Sequence, residues 1–427
     1  MKKYITGLLL LPFLLLAACE QPAAPAADNE TASATQVTQS QTSNIQPGIW
    51  RATLQTPGGD LPFLIELIKQ GGDWQAYYIN GKDRVPVITT NVMGDEIVLA
   101  SPILDTRITA QLQDDGSLQG QLAINVTRTP STMPFSAVRG EQYRFFKMFT
   151  PPQINVDGRW AVTLTNEQGD TREIIGEFDQ QGSQVTGTFL TPYGDYRYMA
   201  GAVRDNKFYF STFDGGDARL FVATMGEDGK LHGGYWANGN HHETFVAVRD
   251  ANATLPDPTE MGKVADDAQF NFSLPNLQGE TVSLSDPRFD NKVVIVTFGG
   301  SWCPNCHDEA VFLDPWYQKN KARGVEVVQI MIERVEDKQQ ALQLIQAFDD
   351  KYTIPYPILF AGTGATLGIQ DIFPALTGVF AYPTTLFIDK QGQVRKVHVG
   401  FTGPGTGKHF DEFKREFNAT VDKLLAE

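Results

Sequence analysis

One short segment constrains this chain more than any other. Lys292 to Phe298 forms a continuous apolar run, and it leads within a few residues into Cys303-Pro304-Asn305-Cys306, the head of a stretch of helical pattern reaching about Arg323. A buried strand that turns at once into a helix belongs to α/β layering. The position of the cysteines matters chemically. Unpaired amides and the positive end of the macrodipole at a helix N-terminus favour a thiolate, taking its pKa from about 8.5 into a range of about 3.5–7.5. Pro304 costs little there, because its missing N–H would have had no helical partner. Two intervening residues put the second thiol one turn on, within reach of a mixed disulfide on the first. Cys303 is therefore expected to be an exposed nucleophile and Cys306 a buried resolving thiol.

The chain has three cysteines, and the third, Cys19, stands in a different setting. Lys2 and Lys3 precede an apolar run from Ile5 to Leu16, followed by Leu16-Ala17-Ala18-Cys19. A basic start, a short apolar stretch and small residues before a cleavage point make a secretory signal, expected over residues 1–18. The Leu-Ala-Ala-Cys ending resembles a bacterial lipoprotein box, which implies lipid on Cys19. Glu20 follows in place of the Asp that resembles an inner-membrane retention signal. The expected location is thus the periplasmic face of a Gram-negative outer membrane. Two cysteines remain, too few for a disulfide framework and well suited to a pair that cycles between states. A formal charge of -15 without a run of Lys and Arg argues against nucleic acid as a partner.

At 427 residues the chain exceeds one ordinary core, and about 150 residues per domain suggests two to four domains. Residues 19–46, rich in Ala, Pro, Thr, Ser and Gln, read as a flexible tether behind the lipidated cysteine. From Pro47 to about Arg249 short β-branched or alternating runs such as Ile97-Val98-Leu99 and Phe208-Tyr209-Phe210 are separated by Gly, Asp and Asn turns. A repeat runs through this region. Gly48-Ile49-Trp50-Arg51-Ala52-Thr53-Leu54 returns about 110 residues later as Gly158-Arg159-Trp160-Ala161-Val162-Thr163-Leu164, and Asp114-Asp115-Gly116-Ser117-Leu118 returns as Glu227-Asp228-Gly229-Lys230-Leu231. Two all-β modules are expected, over 47–149 and 153–250, each a small barrel or sandwich. Their Gly-x-Trp openings resemble the first strand of lipocalin- and avidin-like barrels, and a Trp packed beneath a sheet explains them equally. His241-His242 on a strand would point to opposite faces, so they are read as surface residues and not as a metal site. Pro256 and Pro258 mark a linker over 251–263. From 264 to 427 strands (Lys292–Phe298, Val325–Ile332, Thr384–Asp389, Val394–Val399) alternate with helices (Cys303 to Arg323, Lys338–Lys351, His409–Leu425), which implies an α/β sheet of mixed direction.

Trp302-Cys303-Pro304-Asn305-Cys306, the lead-in Phe272-Ser273-Leu274 with Gly279 to Leu284, Glu309, and Tyr382-Pro383-Thr384-Thr385 together resemble the thioredoxin superfamily, in its TlpA-like and redoxin branch. The resemblance covers about Val264 to Leu425 and implies a thioredoxin-like domain with disulfide reductase activity. It makes Pro383 the proline of a loop facing the cysteines, with Thr384 beside it and a backbone able to pair with a client peptide. Glu333 matches a buried acid near the cysteine pair in some members; such a carboxylate, raised in pKa, could pass protons to or from Cys306. A surface glutamate at a strand end is the plainer alternative. Two positions depart from the family: Thr297 stands where thioredoxin has a buried Asp, and Val311 where a helix-kinking proline is common, with Pro315 further on.

Other chemistries fit parts of the pattern. Cys303-Pro304-Asn305-Cys306-His307 satisfies the spacing for c-type haem attachment, though Trp302 and Pro383 are then unexplained. A thiol peroxidase would want a Thr three residues before Cys303, where Gly300 stands. A metal site at these cysteines lacks a second ligand pair. A binding protein with a redox-inactive thioredoxin scaffold would not need both cysteines. The expected function is therefore thiol–disulfide exchange without a cofactor, more as a reductase, with disulfide-bearing protein clients or small thiols and an upstream electron donor as partners.

Overall fold

The duplicated Gly-x-Trp segments each open an antiparallel β unit. In the computed structural model, which describes residues 44–124, 131–148, 150–266 and 268–427, Gly48–Thr56 starts a nine-stranded sheet that ends with Ser131–Arg139. Gly158–Thr165 starts a second, ending with His241–Arg249. The signal segment, Cys19 and the tether up to residue 43 lie outside the described residues. Trp50 and Trp160 are both buried, and each indole Nε1 donates to the carbonyl four residues earlier, Gln46 at 3.1 Å and Val156 at 2.8 Å. Each also sits opposite an arginine on the closing strand, Arg139 and Arg249, whose guanidinium binds the backbone just before the same opening strand. The repeat therefore specifies one local device twice: a Trp that plugs one end of a sheet while bonding its own N-terminal lead-in.

The two units then diverge. In the second, Thr171–Gln181 pairs with both Gly158–Thr165 and Gln184–Thr191, while Gly158–Thr165 also pairs with His241–Arg249. This closes a barrel, with the short Gly194–Asp195 strand attached outside the ring. Its interior is aromatic, with Phe189 stacked on Phe221 at 4.1 Å. The first sheet stays open between Asp83–Pro86 and Thr89–Met93. An open sheet leaves part of its core uncovered; here Phe213, Ala218 and Leu220 of the second unit complete it, Phe213 lying 4.9 Å from Phe63. His241 and His242 are on the surface of the second unit, His242 stacked on Trp236.

The C-terminal region is a five-stranded mixed sheet in the order Ile358–Thr363, Val325–Glu333, Val293–Gly299, Thr384–Ile388, Val394–Val399. Around it lie helices α1 (Pro304–Asn320), α2 (Lys338–Tyr352), α3 (Ile369–Ile372) and α4 (Lys408–Ala426). The continuous apolar run is explained by its central place, since every residue of Val293–Gly299 is buried. Alternate residues serve two cores: Val294, Val296 and Phe298 face Phe270 and Phe373, whereas Val293 and Ile295 face Leu313, Trp316 and Phe417. The edge strand Ile358–Thr363 was not foreseen, being short and flanked by Pro355 and Pro357. Gly262 and Lys263, at the end of the expected linker, correct its boundary: they pair as a strand with Gly378 and Thr377, a three-residue element too short to carry a period. The β units and this domain also interlock. Ile103, from the turn Pro102–Leu104 of the first unit, is fully buried against Ile345 and Phe348 of α2.

Candidate active site

The strand Val293–Gly299 delivers the chain through Gly300-Ser301-Trp302 to Cys303, which takes an extended backbone (φ -99°, ψ 110°) and caps α1; its sulfur accepts from the Cys306 amide at 3.2 Å. Pro304 occupies the first helical turn, as a residue needing no amide partner should. Cys303 and Cys306 are joined as a disulfide, with Cα atoms 5.2 Å apart. The loop Tyr382-Pro383, whose peptide bond is cis, faces the pair: the Tyr382 carbonyl oxygen lies 3.4 Å from the Cys303 sulfur. Thr384 anchors that loop by donating to the Ala381 carbonyl at 2.7 Å. Trp302 donates through Nε1 to Ile332 O, meets Tyr382 edge-on and lies under the Arg334 guanidinium.

The expectation of an exposed Cys303 needs correcting. It is only 3% exposed, against 0% for Cys306. The residues on either side of Cys303 meet the β units: Trp302 and Pro304 share a cavity with Leu104, Gly216 and Asn238. Asn305 abuts Gly194, where an added Cβ would overlap its amide nitrogen.

Glu333 is the last residue of its strand and is buried, so the surface alternative is set aside. Its carboxylate accepts from the Ser301 amide and the Ser301 hydroxyl, both at 2.8 Å. Burial nevertheless pushes its pKa up to about 7, the Ser301 bonds opposing only in part. Glu309 is more perturbed. It points inward from the second turn of α1, accepts from Thr385 Oγ1 at 2.8 Å, and burial pushes it up to about 8. Thr385 sits opposite Thr297, which sits opposite Gln329, so a polar row crosses the sheet under the disulfide. A point beside Gly299 is 3.4 Å from Gln329 Nε2 and 3.5 Å from the Cys306 sulfur. Thr297 had been noted only as a departure from thioredoxin, and Gln329 had not been singled out. A polar residue inside an otherwise apolar strand was the available signal.

His307 lies outside this chemistry. It is buried, with Nδ1 2.6 Å from Tyr352 OH and Nε2 2.7 Å from Ser301 O, so both ring nitrogens of the candidate haem ligand are already engaged. Among the described residues no group of three or more His, Cys, Asp or Glu is arranged to hold a metal ion.

The α/β region is similar to known proteins. Residues 264–397 match the AhpC/TSA family model. The chain is 29% identical over 136 residues to the thiol-disulfide oxidoreductase ResA of Halalkalibacterium halodurans, covering 32% of this chain and 69% of that protein. It is 32% identical over 130 residues to the thioredoxin-like protein YneN of Bacillus subtilis, covering 30% of this chain and 68% of that one. A solved thiol:disulfide interchange protein of the thioredoxin family from Chlorobium tepidum aligns with 38% of this chain and 99% of its own, at 22% identity and a TM-score of 0.28. Through its C-terminal domain, this chain belongs to the thioredoxin superfamily, among its TlpA-like redoxins.

Proposed function

We propose that this chain is a thiol–disulfide oxidoreductase that works through Cys303 and Cys306, more as a reductase than an oxidant. The observation that carries this reading is the Cys303–Cys306 disulfide at the N-terminus of α1, set against the Tyr382-Pro383 loop. In the reduced protein the Cys303 thiolate, favoured by the helix N-terminus, attacks a client disulfide. One client sulfur leaves and a mixed disulfide forms. Cys306 then attacks Cys303, closing the internal disulfide and releasing the client as a dithiol. Glu309 and Glu333, which burial pushes up to about 8 and about 7, change protonation near neutral pH and so supply and accept the protons. Pro383 shapes the loop that receives the client, and Trp302, Pro304, Asn305 and Thr384 hold the cysteine loop in place.

The clients are proteins bearing disulfides or small thiols, and an upstream donor returns the electrons. The N-terminal pattern ending in Ala17-Ala18-Cys19 supports a lipid anchor on Cys19 and a place on the periplasmic face of the outer membrane. The test of the chemistry is exchange with glutathione. Wild-type protein should equilibrate with a glutathione redox buffer and give a defined potential, whereas Cys303→Ser should lose exchange by about 10³-fold or more. Unchanged exchange in Cys303→Ser would end the proposal.

A further inference from the structure

The β units do not stand apart from the cysteine loop; they pack against the residues that flank the disulfide. On the face of the α/β domain that carries the cysteine loop, Trp302 and Pro304 meet Leu104, Ile124, Gly216 and Asn238 across a cavity of about 100 Å³. Asn305 packs on Gly194. Beside the loop, Arg197 of the barrel reaches Asp308 of α1 at 2.9 Å, and the same guanidinium approaches Asp83 of the open sheet at 3.7 Å and Asp214 at 3.5 Å. One buried arginine thus ties both β units to the helix that the cysteines head. Around the loop after Val399, Asp195 accepts from the Gly403 amide at 2.7 Å and Tyr198 donates to Pro404 O at 3.0 Å. Cys303 itself is only 3% exposed at the point where a client must attack or be attacked.

We propose that the β units are a size filter over this disulfide: in the covered molecule Cys303 exchanges with low-molecular-weight thiols and is shielded from thiols carried on folded proteins, and Arg197 is the residue that holds the filter shut. The residues on both sides of Cys303 are packed against the β units, and Cys303 itself is 3% exposed. Such a site admits the thiol end of a small molecule and stops a protein surface. Protein clients then reach Cys303 only when the β units move off the loop. The inference rests on the exchange reading above. In the covered reaction a small thiolate attacks the Cys303 sulfur, the Cys303–Cys306 bond breaks, and Cys306 leaves as the thiolate and takes up a proton. The second thiol of the reductant then attacks the mixed disulfide and frees Cys303. Two electrons and two protons pass to the protein, and the reductant ends as its own disulfide.

The test uses the oxidised full chain and two reductants, dithiothreitol and a reduced thioredoxin as the protein-sized dithiol, with opening of the disulfide followed by alkylation of the freed cysteines. Arg197→Gln should raise the rate with thioredoxin by about tenfold or more and leave the dithiothreitol rate within about threefold. Because Arg197 is buried and its loss could impair folding, Tyr198→Phe serves as a milder second variant. It removes one hydrogen bond from the same contact and should move the thioredoxin rate alone, by about two- to threefold. A thioredoxin rate unaffected by both variants, or both reductants accelerated equally, would overturn the filter. Failure of both reductants to open the disulfide in every form would instead overturn the exchange reading on which it stands.

Discussion

Three carboxylates of the barrel and two of the α/β domain are withdrawn from water to different degrees and treated in opposite ways. In the barrel, Glu243 is bonded by Arg172 at 2.5 Å, Asp217 by Arg219 at 2.6 Å, and Glu177 by Arg159 and His409. Burial alone would raise all three pKa values, but the cations outweigh it and hold them below the ordinary carboxylate range. In the α/β domain Glu309 and Glu333 are held by hydroxyl and amide groups, and burial pushes them up to about 8 and about 7. A buried carboxylate kept charged by an arginine is part of the framework. One that hovers between protonated and charged near neutrality can move a proton; Glu309 and Glu333 stand near the cysteine loop, as does Asp308, which burial pushes up to about 7 despite its pairing with Arg197. Asp83 and Asp195 of the β units are also raised by burial, and both lie at the junction around Arg197.

Substitutions that remove the charge should separate the two regions. The largest effect is expected from Glu309→Gln, which should slow disulfide exchange by about 10–100-fold and flatten its pH profile above neutrality. The same change should stabilise the protein at alkaline pH. The folded pKa lies above the unfolded value of 4.5, so the stability associated with protonated Glu309 is complete below about pH 4.5 and is lost as pH rises to about 8. Denaturant unfolding of the oxidised protein and of the variant at pH 5 and pH 9 measures this loss, expected to be on the order of a few kcal/mol larger in the wild type than in Glu309→Gln. Glu243→Gln should do the reverse. Unfolding should become easier by about 1–3 kcal/mol, because Arg172 loses its partner, while exchange by the folded protein stays unchanged. A slowed exchange in Glu243→Gln would break the distinction between framework and working carboxylates. Glu333→Gln should resemble Glu309→Gln on a smaller scale, with its stability change confined between about pH 4.5 and pH 7. The smallest effect belongs to Arg84→Ala at the exposed pair with Glu66, where solvent screening leaves unfolding nearly unchanged and exchange unaffected.

Much of this layout was legible in the chain itself, and what was missed shares a cause. Local period and turn chemistry pointed to the strand before Trp302, the helix after Cys303 and the hairpin at Lys390-Gln391-Gly392, because each depends on near neighbours. The repeat of Gly-x-Trp pointed to two β units. That the second closes while the first borrows Phe213 to complete its core depends on pairing between distant strands, which periodicity does not report. Glu333 was noticed by resemblance, but its burial is a property of the packed loop around Ser301. Gln329 and Thr297 became a polar row only once parallel register set them side by side.

The sequence by itself determined the chemistry available to this protein: two cysteines three residues apart at a helix N-terminus, an adjacent proline loop in the same domain and a buried strand to hold them. Those are short-range facts, set by helix ends, macrodipoles and the order of residues along the chain. Only the tertiary structure decided how reachable that chemistry is. Arg197 and Asp308 are 111 residues apart in sequence and 2.9 Å apart in space, and contacts of this kind pack the β units against the residues that flank Cys303. Access to a sulfur is a property of everything packed around it, and packing between distant segments leaves no periodic trace in the chain.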